Sequence, residues 1–135
     1  MKKPSVVCLM GPTASGKSKL ALKISLSTAL PIVNVDSVQI YKGLSIGSAQ
    51  PSTEDLKLAP HSLYAYVDKG KKCTAAQYIS DVKELLRSKS QQKNWIFCGG
   101  SGFYLQALEK GMVPAPEISS DVIQPIDQLV EDQDW

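Results

Sequence analysis

An eight-residue segment near the start of the sequence has the residue types and spacing of a phosphate-binding loop. It matches the pattern Gly-x4-Gly-Lys-[Ser/Thr], between an apolar run and a helix-like segment. Glycines let the backbone approach phosphate oxygens, and N–H groups at a helix N-terminus solvate their charge. Lys17 adds a cation, and the Ser18 hydroxyl suits a phosphate-bound Mg²⁺. The predicted diphosphate or nucleotide site comprises Gly11, Pro12, Thr13, Ala14, Ser15, Gly16, Lys17 and Ser18.

Two more polar residues follow apolar runs of strand length. Asp36 comes directly after residues 31–35, and Ser101 follows residues 95–98 and a pair of glycines. Open α/β sheets place their ligands at the carboxyl ends of strands. Asp36 is therefore compatible with a general base, an outer-shell metal ligand or a cap for the turn that follows. Ser101 is compatible with a hydrogen bond into the same crevice or with a helix cap.

The phosphate-binding loop predicts what is held but not which group is transferred. Nucleotide-hydrolysing motors usually carry a second apolar strand that ends in a Mg²⁺-binding acid. Here the corresponding strand ends in Gly99-Gly100. Small-molecule kinases and other transferases that use a diphosphate therefore remain as candidates.

The elements that must position these residues alternate between strands and helices. Periodicity, capping residues and glycine or proline boundaries predict strands at 6–10, 31–35, 63–67 and 95–98 and helices at 20–28, 53–58, 75–86 and 103–109. This order predicts a three-layer α/β fold of the P-loop, small-molecule-kinase type, with a mostly parallel sheet and flanking helices. The continuous apolar run at 6–10 predicts its central strand, buried on both faces.

Composition restricts the class of protein. The chain has 135 residues, 43% of them hydrophobic, which is ordinary for one globular core. No apolar run approaches the roughly 20 residues of a membrane span, and no signal peptide is evident, so we expect a cytoplasmic protein. The three cysteines lack metal-ligand spacing. We expect Cys8 and Cys98 to be buried and Cys73 to lie in a loop.

Charge divides the chain into two parts. The first 110 residues carry all 15 Lys and Arg and 7 of the 13 acids, a net charge of 15 − 7 = +8, and the remainder carries −6. Prolines also cluster after Gly111. We predict a P-loop core at 1–112, followed at 113–135 by a linker and the truncated start of a helical insertion domain.

Four segments together resemble the tRNA dimethylallyltransferase family, over about residues 4–116. They are the loop at 11–18, the run DSVQIY at 36–41 with IGSAQP at 46–51, the tripeptide APH at 59–61, and GGSGFY at 99–104. The resemblance implies that the loop holds dimethylallyl diphosphate with Mg²⁺. It also implies transfer of the prenyl group to N6 of the adenosine beside the anticodon in tRNA.

The same resemblance assigns roles to individual residues. Asp36 matches the family's general base, and Ser101 matches a position that is usually Thr near the reacting groups. The tRNA-binding positions implied are Asp36, Ser37, Val38, Gln39 and Ser101. Full-length members of the family are expected to be monomers.

Several features depart from the family pattern. Gln50 replaces a common Lys, Ser48 replaces a common Thr, and Ile123 falls near an arginine that contacts tRNA. Family members are about twice as long, so we expect this chain to be an incomplete portion of the enzyme. The alternatives are a shikimate-kinase-like enzyme, an adenylate isopentenyltransferase with a free nucleotide as acceptor, and an inactive diphosphate-binding fragment.

Overall fold

The computed structural model describes residues 5–112 and 118–132. These residues form nine elements of regular structure. In chain order they are β1 (Ser5–Met10), α1 (Lys17–Thr28), β2 (Ile32–Asn34), α2 (Thr53–Leu58), β3 (His61–Ser62), α3 (Ala75–Ser88), β4 (Asn94–Gly99), α4 (Gly102–Lys110) and α5 (Ser120–Glu131).

The four strands form one parallel sheet in the order β1-β4-β2-β3. Strand β4 lies between β1 and β2, so its carboxyl end lies beside those of both neighbours. In the register, Met10 pairs with Gly99, and Asn34 pairs with Cys98. The loop after β1 and the residues after β2 and β4 therefore meet at one edge of the sheet.

Two hydrophobic clusters cover the two faces of this sheet. One cluster joins the sheet to α3 and α4 and includes Val33, Tyr78, Trp95 and Phe97. The other joins the opposite face to α1 and includes Ala21, Ile32, Ile96 and Cys98. Alternate residues of β2 and β4 enter opposite clusters, as the two-residue period of a strand requires. The predicted three-layer α/β fold is confirmed.

Strand β1 differs from the prediction. It lies at one edge of the described sheet, where it pairs with β4 alone, and is not the central strand. Val6 is 41% exposed and Val7 is 46% exposed, so the predicted burial of the strand on both faces is wrong. Cys8 is exposed, contrary to the prediction, whereas Cys98 is buried as predicted. The apolar run correctly predicts a strand. How many neighbours that strand has depends on packing by distant residues, which the run does not encode.

The strand predicted at 63–67 is also wrong. The pairing strand is the short β3, and only an isolated bridge joins Val67 to Tyr41. Leu63 and Ala65 adopt left-handed backbone conformations, with φ of 62° and 46°, that no regular strand accommodates. Alternating apolar residues predict an extended segment, but they do not report where the chain must turn.

The predicted helices all form. Thr74 caps α3, because its hydroxyl accepts from the Gln77 N–H at 3.1 Å. Helix α2 begins with a full capping box between Ser52 and Asp55 that sequence analysis did not identify. Within the described residues, no helix is both long and apolar enough to cross a membrane.

Helix α5 lies in the predicted second part of the chain, and every one of its residues is exposed. It carries an apolar stripe that includes Val122, Ile126 and Leu129. Much of the predicted linker, residues 113–117, lies outside the described residues. The division at residue 112 therefore stays a prediction.

Candidate diphosphate site and acceptor crevice

The phosphate-binding loop connects β1 to α1 by a turn with two left-handed residues. Ala14 has a φ of 64° and Gly16, the residue before α1, a φ of 85°. The Ser15 N–H donates to the Pro12 carbonyl at 3.3 Å, and Lys17 Nζ donates to the same carbonyl at 2.9 Å. Lys17 thus reaches back across the loop, where its cation and the first N–H groups of α1 are available to an anion.

A pair of glycines lets the other two strands approach this loop closely. A Cβ on Gly99 would lie 2.0 Å from the Val35 carbonyl oxygen, so no side chain fits between β4 and the end of β2. A Cβ on Gly100 would lie 3.4 Å from the Gly11 carbonyl oxygen and 3.5 Å from Asp36 Oδ2. The tertiary structure therefore brings the phosphate-binding loop, the glycine pair and Asp36 to one place, as the sequence analysis predicted.

The two oxygens of the Asp36 carboxylate have different surroundings. Oδ1 accepts hydrogen bonds from the N–H groups of Val38 at 2.8 Å and Gln39 at 3.1 Å, which form the turn after β2. Oδ2 faces Gly100 across the crevice. Asp36 is thus a turn cap through one oxygen, while the geometry leaves the other available to a proton donor.

Ser101 occupies the N-cap of α4. Its Oγ accepts from the Tyr104 N–H at 3.5 Å, and its own N–H donates to the Val35 carbonyl at 3.0 Å. The long distance makes the capping bond a weak one. Because the hydroxyl serves only as an acceptor in that bond, its proton is available for donation beside the glycine pair.

The remaining residues that the family resemblance implies for tRNA binding lie in the loop between β2 and α2. Ser37 and Val38 are exposed, so both are accessible to a large substrate. Gln39 is half-buried, and its Nε2 donates to the carbonyls of Ser48 at 2.8 Å and Ala49 at 3.1 Å. Its amide group thus closes the loop on itself, a contact that sequence analysis did not anticipate.

Asn34 is a buried residue of the site that sequence analysis missed. Its Nδ2 donates to the Leu63 carbonyl at 2.9 Å and the Asp36 carbonyl at 3.2 Å. The Tyr78 hydroxyl donates to the Asn34 carbonyl at 2.6 Å. Asn34 therefore joins the backbone of Asp36 to the chain after β3. The one available signal was a polar residue inside an otherwise apolar strand.

A cavity of about 110 Å³ lies beside the first turn of α1. Its lining includes Ser18, Gln50, His61 and Cys98. His61 hydrogen-bonds the Ala59 carbonyl through Nδ1 at 2.8 Å, which is a structural contact. The cavity shares Ser18 with the phosphate-binding loop, and its wall contains residues from five separated segments.

The pKa of the Cys98 thiol reports the charges around this cavity. Burial raises that pKa, the Lys17 cation and a hydrogen bond with Ser18 oppose the rise, and the Asp36 carboxylate adds to it. The cation of the phosphate-binding loop and the candidate base therefore both act on one buried thiol. That thiol stays neutral near pH 7.

The donor set for a cation is sparse. Among residues 5–112 and 118–132, no group of three or more His, Cys, Asp or Glu side chains is placed to hold a metal ion. The Ser18 hydroxyl in the first turn of α1 fits a Mg²⁺ whose other ligands come from a bound diphosphate and water.

Comparisons with known proteins agree with this geometry. A family model described as IPP transferase matches residues 39–135. The chain belongs to the IPP transferase family. The match begins after Asp36, so the phosphate-binding loop contributes separately to the resemblance.

Individual relatives of the family extend the likeness to the N-terminal segment. A tRNA dimethylallyltransferase of Azorhizobium caulinodans is 39% identical over 132 residues, which is 97% of this chain and 42% of that protein. A tRNA dimethylallyltransferase of a Chelativorans species is 44% identical over 115 residues, 84% of this chain and 39% of that protein. The chain thus spans about two fifths of the curated relatives that it matches.

Solved structures of the family show the same architecture. The tRNA delta(2)-isopentenylpyrophosphate transferase of Staphylococcus epidermidis superposes with a TM-score of 0.73 at 28% identity, over 98% of this chain and 43% of that one. The tRNA isopentenylpyrophosphate transferase of Bacillus halodurans gives a TM-score of 0.76 at 24% identity, over 96% and 44%. The second comparison shows a common fold. Both superpositions cover nearly the whole of this chain and less than half of the other chain.

Proposed function

We propose that these residues form the donor-binding and proton-accepting part of a tRNA dimethylallyltransferase. The proposed reaction moves a dimethylallyl group from dimethylallyl diphosphate to N6 of the adenosine beside the anticodon in tRNA. The observation that carries the proposal is the meeting of Gly11, Gly100 and Asp36 Oδ2 in one crevice. It supports a carboxylate base acting beside the predicted diphosphate-binding loop, in a chain of the IPP transferase family. Such an enzyme acts in the cytoplasm, where its tRNA is found.

The donor side of the reaction needs stabilisation of a leaving diphosphate. As the allylic C–O bond breaks, negative charge increases on the bridging and terminal oxygens. N–H groups of the loop at 11–18 and the Lys17 cation are positioned to receive that charge. Mg²⁺ bound through the diphosphate and Ser18 would supply further electrostatic stabilisation. No phosphoryl group is transferred in this scheme.

The acceptor side needs a base, because an exocyclic adenine amine is a poor nucleophile. As the C–N bond forms, the amine nitrogen becomes acidic and must lose a proton. Asp36 Oδ2 faces the crevice while Oδ1 is held by the turn, so the carboxylate is oriented to accept that proton. The Ser101 hydroxyl is adjacent to the glycine pair and able to donate to the diphosphate or the base.

The direct experiment incubates the chain with Mg²⁺, labelled dimethylallyl diphosphate and either unmodified tRNA or AMP. Donor binding is measured in parallel by calorimetry. We expect donor binding, and transfer to tRNA wherever the chain is supplied with the part of the enzyme that it does not span. Label on AMP would favour a free-nucleotide acceptor, and transfer of phosphate from ATP to a small alcohol would indicate a kinase instead.

Substitution of Asp36 separates its two roles. Asp36→Asn keeps the Oδ1 acceptor for Val38 and Gln39 but removes the base, whereas Asp36→Ala removes both. We expect kcat to fall by roughly 10²- to 10⁴-fold in the Asn variant while the Kd for dimethylallyl diphosphate changes by less than about threefold. Equal losses of donor binding and turnover in the Asn variant would contradict the assignment of Asp36 as base.

A further inference from the structure

Two glutamine side chains brace the loop that carries Asp36. Gln39 Nε2 donates to the carbonyls of Ser48 and Ala49. In the reverse direction, Gln50 Nε2 donates to the carbonyls of Gln39 at 3.0 Å and Tyr41 at 2.8 Å. The four hydrogen bonds join residues nine to eleven positions apart. They tie the two ends of the segment between β2 and α2 together.

This brace is connected to Asp36 through a single residue. The N–H of Gln39 donates to Asp36 Oδ1 at 3.1 Å, and the carbonyl of the same Gln39 accepts from Gln50. The Ala65 N–H also donates to that carbonyl, at 2.9 Å. Gln39 is therefore held from one side by the chain after β3 and from the other by Gln50. A displacement of Gln39 would move the hydrogen-bond donor that orients the carboxylate.

We propose that Gln50 is a positioning residue for Asp36, which rests on the proposed function of that carboxylate. One amide nitrogen with two protons reaches two carbonyls, so the side chain holds both ends of the turn at 39–41 in a fixed relation. The carboxylate must come within about 2.6–3.2 Å of the proton that it accepts. Gln50 contributes to the reaction by fixing where Asp36 Oδ2 lies, and has no contact with the reacting atoms.

Glutamate is the most informative substitution, because it keeps the size of Gln50 and removes both donors. Gln50→Glu also places oxygens against the Gln39 and Tyr41 carbonyls. Gln50→Lys keeps N–H donors at this position. Lysine is also the residue that commonly occupies the position in the family that the sequence resembles. Gln50→Ala removes the side chain without introducing charge, and serves if the Glu variant does not fold.

The first measurement is amide hydrogen exchange of the 135-residue chain, followed by NMR. We expect Gln50→Glu and Gln50→Ala to accelerate exchange of the Val38 and Gln39 amides by about tenfold, and Gln50→Lys to restore most of the protection. The Leu56 amide, which bonds to the Ser52 carbonyl in α2, is the reference and should not change. Unchanged exchange at Val38 and Gln39 in the Glu and Ala variants would overturn the proposal.

The second measurement is the steady-state rate of dimethylallyl transfer to tRNA. It uses the chain together with the part of the enzyme that it does not span, since that is the form expected to be active. We expect Gln50→Ala to lower kcat by roughly tenfold with little change in the KM for dimethylallyl diphosphate, and Gln50→Lys to recover it. A rise in donor KM at constant kcat would contradict a positioning role and indicate that Gln50, which lines the cavity beside Ser18, contributes to donor binding. Because the exchange experiment needs neither donor nor tRNA, it tests the brace even if the proposed reaction is wrong.

Discussion

Strands β1 and β4 have the same kind of sequence and opposite surroundings. Both are apolar runs that lead into a glycine turn and then a helix. In β4, Trp95, Ile96 and Phe97 are all at most 4% exposed, whereas Val6 and Val7 of β1 are 41% and 46% exposed. A parallel sheet normally has both of its faces covered, so its strands are buried on both sides. An apolar run therefore specifies a strand that tolerates burial, while packing decides how much burial the strand receives.

The largest expected effect tests how tightly β4 is enclosed. Gly99→Ala places a Cβ against the Val35 carbonyl oxygen, a contact that the neighbouring backbone must move to relieve. We expect the free energy of unfolding to fall by about 3 kcal/mol or more. Gly102→Ala is the matched control, because no heavy atom other than those of its chain neighbours and its own helix backbone lies within 4 Å of its Cβ position, and alanine is the better helix former. Urea denaturation followed by circular dichroism measures both.

The same residue type in the two environments gives the next effect. Val33 of β2 is 0% exposed within the interior of the sheet, and Val7 of β1 is 46% exposed. We expect Val33→Ala to lower the free energy of unfolding by about 2–3 kcal/mol and Val7→Ala by less than about 1 kcal/mol. Equal losses in urea denaturation would mean that the Val7 side chain is covered in solution.

The smallest effect concerns thiol chemistry rather than stability. Cys8 of β1 is exposed, and Cys98 of β4 is buried. Although Cys8 is exposed, partial desolvation of its thiol and the nearby Glu109 carboxylate raise its pKa, and burial raises the pKa of Cys98. Both alkylation rates should therefore increase as the pH rises from 7 towards 9 and thiolate forms. At each pH we expect Cys8 to react at least about tenfold faster than Cys98. The buried Cys98 thiol reacts only when local opening of the structure exposes it to the reagent. Mass spectrometry of peptides after iodoacetamide treatment gives both rates.

Most of the local structure was predictable because its causes are local. The pattern at 11–18 predicts a phosphate-binding turn, and that turn joins a strand to a helix as expected. Thr74 predicts the start of α3, because its hydroxyl accepts a hydrogen bond from the backbone N–H three residues later. The strand at 63–67 was the exception. Its backbone follows hydrogen bonds from Ala65 and Tyr66 to the distant segment 39–40, and no local pattern reports these bonds.

The candidate site was predictable in its membership more than in its geometry. Asp36 and the glycine pair were identified by their positions after apolar runs, and the structure brings them together. The turn uses Oδ1 of Asp36 through hydrogen bonds over two and three residues, which the position of Asp36 alone did not assign to one oxygen. That Gln39 and Gln50 brace the loop depends on side-chain hydrogen bonds across nine to eleven residues. Asn34 was missed because its partners include Leu63, 29 residues away.

The sequence by itself determined the phosphate-binding loop, the alternation of strands and helices, and the family resemblance. The loop and the alternation depend on residue types within a few positions of one another, where turn geometry and helical or strand periodicity act. The resemblance depends on four short segments taken together. Only the tertiary structure decided that β1 lies at an edge of the described sheet and that Gly100 separates Gly11 from Asp36. Strand order depends on which apolar surfaces cover one another over long sequence separations, and residue patterns within a single strand do not record that choice.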